Sequence, residues 1–217
     1  MKRIIHIAFL CVAFAALTFT AKAAEPVVKT GIEVLRDRGF EILKGKRVGL
    51  VTNPSGVDRF LNSTVDILFN APDVELVALY GPEHGVRGDV YAGGHVTDTK
   101  DEATGWPVYS IYGATRKPTP QMLEGIDVMV YDIQDVGVRS YTFISTLGLV
   151  MEACGEKGIE VVVLDRPNPL GGNKIEGCYV EQGFFSFVSQ YEIPYVYGLT
   201  VGELAVMINE EGMNRGQ

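Results

Sequence analysis

The chain has 217 residues, 47% hydrophobic, 21% charged and 10% aromatic, which excludes a disordered tail, a collagen-like repeat and a multi-span membrane protein. Its formal net charge is −8, and no lysine or arginine run occurs beyond the extreme N-terminus, which argues against a nucleic-acid partner. The 25 glycines and 10 prolines are spread along the sequence, as turns are in a loop-rich globular fold.

The first segment reads as a signal peptide. Met1, Lys2 and Arg3 open with two cations, residues 4–20 are almost wholly apolar, and Ala21-Lys22-Ala23 has the small-x-small form of a cleavage site. Cleavage is expected after Ala23, with export to the periplasm or the exterior and no stable membrane insertion. Leu10 precedes Cys11, where a lipoprotein signal carries a small residue, so no lipid anchor is expected. The chain beyond Ala23 is long enough to bury one core without disulfides. Cys154 and Cys178 fall in a helical and a strand pattern; a pair and two buried free thiols are both open.

Apolar runs rich in valine, isoleucine and tyrosine at 47–52, 74–80, 108–112, 127–133 and 160–164 predict buried strands. Between them, 31–43, 60–69, 120–123 and 141–156 read as helices, the last with Phe143, Leu147, Met151 and Cys154 at three- and four-residue spacing. Strand and helix alternate, so the fold class is α/β: a mostly parallel sheet with helices on both faces. Beyond Asn168 the pattern weakens to short strands near 175–181 and 194–197, then a helix over about 201–209.

Ligands of such sheets bind beyond the C-terminal strand ends. The polar tips there are Thr52-Asn53-Pro54-Ser55, Gly81-Pro82-Glu83-His84-Gly85, residues 132–139 and Asp165-Arg166-Pro167-Asn168. No Gly-x-Gly-x-x-Gly and no Walker-type Gly-Lys-Ser/Thr is present, so no nucleotide cofactor is expected. His84 and His95 belong to no cysteine or histidine cluster, which argues against a metal site. Ser55, Ser140 and Ser145 lack a nucleophile elbow.

Carboxylates remain. Glu83 follows an apolar strand on a glycine-flanked turn; shelter there disfavours the ionised form and suits a general acid, while a turn-capping role is equally open. Asp132, Asp135 and Asp165 end neighbouring strands and are candidates for a second carboxylate. Arg87, Arg139 and Arg166 each offer a guanidinium fork to an acidic substrate or to a carboxylate of the protein itself. Trp106, Tyr109, Tyr112 and Tyr141 suit either sugar stacking or the core.

Residues 48–56, 81–88, 107–113, 131–139 and 164–169 together closely resemble the DUF1343 family, which includes exo-β-N-acetylmuramidases of the NamZ type. The resemblance runs from about Gly31 to the end. It implies a Rossmann-like N-terminal domain over 24–198, the beginning of a smaller second domain over 199–217, and chains about twice this long. It also implies an exported glycosidase that releases terminal N-acetylmuramic acid from peptidoglycan fragments, with the glutamate of Gly-Pro-Glu-His-Gly, here Glu83, as the catalytic residue. His84, Asp132 and Asp165 complete the expected catalytic set. Asn53, Ser55, Arg87, Asp135, Arg139, Tyr141, Arg166 and Asn168 are the expected substrate contacts, with a loop arginine meeting the lactyl carboxylate of muramic acid. Two positions depart from the family pattern: Tyr197 stands where a histidine is common, and Ser140 where an aromatic residue is. A sugar-binding module without catalysis and an inactive fragment are the alternative readings.

Overall fold

The computed structural model describes residues 27–91, 94 and 97–213; the expected signal segment and His95 lie outside them. Six strands form one sheet: β1 (Arg47–Thr52), β2 (Glu75–Gly81), β3 (Thr99–Lys100), β4 (Pro107–Ser110), β5 (Val128–Asp132) and β6 (Glu160–Val163). Their spatial order is β3-β4-β2-β1-β5-β6, with every pairing parallel except β3 against β4. Among the described residues four α-helices accompany them, α1 (Gly31–Asp37), α2 (Thr64–Phe69), α3 (Phe143–Lys157) and α4 (Val201–Glu210).

The period of two along each strand sorts side chains into two cores. Val48 and Leu50 of β1 and Val128 and Val130 of β5 meet Ile32 and Leu35 of α1 and Val65 and Leu68 of α2 on one face. Val51, Met129 and Tyr131 point the other way, against Phe143, Leu147 and Val150 of α3 and Val201 and Ala205 of α4. Strands buried on both faces explain why they read as continuous apolar runs rather than as alternating ones.

Helix ends follow local chemistry. In α4, the Glu203 amide donates to Thr200 Oγ1 at 3.2 Å and the Thr200 amide to Glu203 Oε2 at 2.9 Å, a reciprocal cap. Helix α3 stops at Gly158, whose φ of 68° only glycine adopts readily, and the Ile159 amide returns to the Cys154 carbonyl. The segment 31–43 is not one helix: Gly39 and Phe40 take φ of 64° and 56°, and the chain resumes as a short 3₁₀ turn at Glu41–Leu43. Residues 60–62 form a loop around the buried Asp58, whose carboxylate accepts the amides of Phe60 and Asn62, so α2 begins at Thr64 instead of 60. Residues 120–123 make turns, and 175–181 and 194–197 meet through the single bridge Glu176–Val196. The edge strand β3 has no apolar signal, being a pair of exposed polar residues. Helix α4 packs on α3, with Leu204 and Ile208 buried among Ile144, Tyr191 and Tyr197. Cys154 and Cys178 are free thiols, the first buried and the second exposed, so they do not pair and the alternative of two buried thiols fails at Cys178.

Crossed ion pairs fasten α1 to the loop before α2: Glu33 with Arg59, and Arg36 with Asp58 at 2.9 Å. The Arg59 bond holds the Glu33 carboxyl down at about 2. For Asp58, burial pushes upward but is outweighed by hydrogen bonds from Asn62, Arg36 and the loop amides, which leave it at about 2. Carboxyls depressed on folding stabilise above their unfolded values, and that contribution is lost as pH falls through the folded ones. The urea midpoint is therefore expected to drop between pH 4.5 and about 2, and the drop should flatten in Glu33→Gln/Asp58→Asn.

Candidate active site at the C-terminal edge of the sheet

Strands β1 and β5 are neighbours from which the chain departs toward opposite sides, the switch point beyond which ligands of such sheets bind. Since β1, β2, β4, β5 and β6 are mutually parallel, the loops carrying Asn53, Glu83, Tyr112, Asp132 and Asp165 all leave from this edge.

Most of the polar candidates there hold the loops together. Asp132 ends β5 fully buried; Arg166 donates Nε to its Oδ1 at 2.6 Å and Nη2 to its Oδ2 at 3.0 Å, and Thr64 adds a hydroxyl. Arg166 Nη2 also reaches the Val57 carbonyl. Asp165 accepts Thr200 Oγ1 at 2.7 Å and the Gly202 amide at 2.8 Å, and so fixes the start of α4. Asp135 accepts the Tyr197 hydroxyl and the Gly137 amide on Oδ2, while its buried Oδ1 has no partner among the described residues. Burial pushes its carboxyl up, and those two bonds oppose it.

Asn53 Oδ1 accepts the amide and hydroxyl of Ser55, and Ser55 Oγ in turn accepts the Gln134 amide, tying the β1 loop to the β5 loop. Asn168 bridges the Leu199 carbonyl and the Leu170 amide. A Cβ at Gly137 would lie 2.3 Å from Asn168 Oδ1, so glycine is required for these loops to touch. Arg139, 8% exposed, donates Nη1 to the carbonyls of Cys178 and Ile193 and lies 5.9 Å from the Tyr195 ring centre. Arg87 is clamped by Asp101, at 2.7 and 3.0 Å, and by Asp66, at 2.9 and 3.2 Å.

Glu83 is placed differently. It projects half-buried from the turn after β2, in which the Gly85 amide bonds the Pro82 carbonyl and His84 and Gly85 both have φ of 74°. A non-glycine residue in that region carries strain of about 1–3 kcal/mol, which packing around the turn must hold. His84 Nδ1 lies 3.2 Å from the Val90 carbonyl and must donate to it, which leaves Nε2 as the acceptor nitrogen. Thr142, the residue before α3, turns its hydroxyl to Glu83 Oε2 at 3.1 Å instead of capping its own helix. Burial and the neighbouring Glu83 carboxylate push the Tyr112 phenol up.

Tyr141, next to Thr142, is exposed on the rim. Tyr109 packs 5.5 Å from Tyr80, and Trp106 rests on the core beneath α1 and α2, so neither is available for stacking. Thr142 carries no sequence signal beyond its place before a helix. Tyr112 is legible in the sequence only as an aromatic beside a strand.

These features define a Rossmann-like α/β domain that carries an acid on the strained turn after its second strand. The family described as "Exo-beta-N-acetylmuramidase NamZ, N-terminal" matches residues 48–216, and the chain belongs to that family. It is 56% identical over 189 residues to the peptidoglycan beta-N-acetylmuramidase NamZ of Bacillus subtilis (strain 168), a match that covers 87% of this chain and 46% of the relative. Crystal structures of two DUF1343 family proteins from Bacteroides fragilis NCTC 9343 are similar. One has a TM-score of 0.81 at 64% identity, covering 87% of this chain and 48% of the other; the second has 0.73 at 32%, covering 88% and 49%. The chain thus spans about half the length of the relatives it matches.

Breaking the buried pair by Arg166→Leu leaves the buried Asp132 carboxyl with the Thr64 hydroxyl but no cation, which is expected to cost about 3–5 kcal/mol. Chemical denaturation measures it; a loss below about 1 kcal/mol would mean that Thr64 and the backbone suffice to hold the carboxylate.

Proposed function

We propose that this chain is the N-terminal part of an exported glycoside hydrolase that releases terminal N-acetylmuramic acid from peptidoglycan fragments, with Glu83 as the general acid. The observation that carries the reading is the carboxyl of Glu83, held at the sheet's C-terminal edge by Thr142 and lying by the Tyr112 phenol, while Asp132 and Asp165 bind protein groups. The name of the Bacillus subtilis relative supports the substrate class. The basic, apolar and small-residue order of the first 23 residues supports export.

A glycosidic bond breaks when its leaving oxygen gains a proton as positive charge builds on the sugar. Glu83, protonated, supplies that proton from a side chain that the Thr142 hydroxyl helps to orient. His84 sets the shape of the turn through Val90, so its replacement should cost less than that of Glu83. Asp132 and Asp165 enter this reading as residues that hold loops: the first locks β5 to Arg166 and α2, the second anchors α4.

The experiment is hydrolysis of a chromogenic β-N-acetylmuraminide and of one with a poor leaving group, by this chain and by the longest protein that carries it. Glu83→Gln keeps the shape of the side chain and removes the proton, so turnover of the poor-leaving-group substrate should fall about 10²–10⁴-fold with stability unchanged. Near-wild-type kcat on that substrate would show that Glu83 is not the acid. Sugar binding without turnover in the longer protein would favour a binding module, and turnover only there would make this chain an inactive fragment.

A further inference from the structure

The three arginines at the strand ends are poor hosts for a substrate anion. Arg139 and Arg166 are 8% and 5% exposed, and Arg87 meets two carboxylates of the protein with its fork. Arg116 differs. It is exposed on the loop after β4, and among the described residues its guanidinium makes no hydrogen bond or ion pair. Its central carbon lies 4.4 Å above the centre of the Phe187 ring. That ring is 6.4 Å from the ring of Tyr112, whose phenol feels the Glu83 carboxylate. The Arg116 charge acts on the Tyr112 phenol, opposing the upward push of burial and of Glu83. Acid, phenol, phenyl and guanidinium therefore follow one another as successive neighbours.

We infer that Arg116, stacked on Phe187 beside the Glu83 acid, binds the carboxylate of an anionic sugar substrate and sets preference for it over neutral sugars. The inference rests on the glycosidase reading. Stacking orients a planar guanidinium and leaves its edge donors free, the arrangement that grips a carboxylate through two parallel bonds. The neighbouring Lys117 is tied to α3 through Glu152 at 2.6 Å and Glu156 at 2.8 Å, which anchors the loop that presents Arg116. An overall negative charge would repel such a substrate, so a local cation with no internal partner has a clear use.

The test compares, in the full-length protein, three aryl β-glycosides: N-acetylmuramic acid, its lactyl methyl ester, and N-acetylglucosamine. Arg116→Gln should raise KM for the acid at least about tenfold, a loss within the range of one charge-assisted contact, with kcat little changed. KM for the two neutral sugars should stay put. Arg116→Lys should be intermediate, and Phe187→Leu should move KM in the same direction by less. An unmoved KM for the acid, or an equal rise for all three, overturns the proposal. Calorimetric binding of free N-acetylmuramic acid decides it independently of turnover: affinity about tenfold weaker in Arg116→Gln supports it, and equal affinity or no binding by the wild type overturns it. Turnover by the wild type with unmoved Arg116→Gln sinks this inference alone, whereas normal turnover in Glu83→Gln sinks the acid assignment.

Discussion

The ion pair between Asp132 and Arg166 is the contact on which the C-terminal edge of the sheet depends. Its carboxylate ends β5, its guanidinium follows β6, Thr64 brings in the first turn of α2, and the Val57 carbonyl brings in the loop after β1. Thr52 completes the set by donating to the Asp132 carbonyl at 2.7 Å. Two charges taken out of water are costly unless geometry and hydrogen bonding are nearly complete, so this cluster admits few arrangements of the four segments. Loops that hang from it inherit that restriction.

Labour is divided along the edge. On the β1, β5 and β6 side, the polar side chains face one another: Asp165 holds α4, Asp135 holds Tyr197, and Asn53 with Ser55 holds Gln134. On the β2 and β4 side, Arg87 is likewise taken up by Asp101 and Asp66, but Arg116 meets an aromatic ring instead of an acid. Glu83 stands on a turn that strains His84, and Tyr112, Phe187 and Arg116 extend the same surface. Rigid packing on one side supports a chemically open face on the other, the usual relation between a scaffold and the loops that carry function.

The strands were legible in the sequence because burial on both faces leaves no choice but apolar residues, and β1 coincides with the run 47–52 that the sequence marks out. Helix limits were less legible. The break after Asp37 depends on a left-handed Phe40 that is kept buried, and the late start of α2 depends on Asp58 gathering the amides of its loop. Periodicity registers neither, since both conformations are held by partners rather than by the residues' own preferences. Pairing two exposed residues, Thr99 and Lys100, into an edge strand likewise required the neighbouring β4.

By itself, the sequence determined the α/β class, the order of the buried strands, the placement of polar residues at their ends and the turn that presents Glu83, because each of these is written in residues adjacent along the chain. Only the tertiary structure decided which charges were occupied. Arg87 finds Asp101 and Asp66, 14 and 21 positions away, and Arg166 finds Asp132 across 34, while Arg116 finds an aromatic ring 71 positions on and no carboxylate among the described residues. The physical reason is range: an arginine's availability depends on whichever acid the fold carries to its fork, and that distance has no counterpart along the chain.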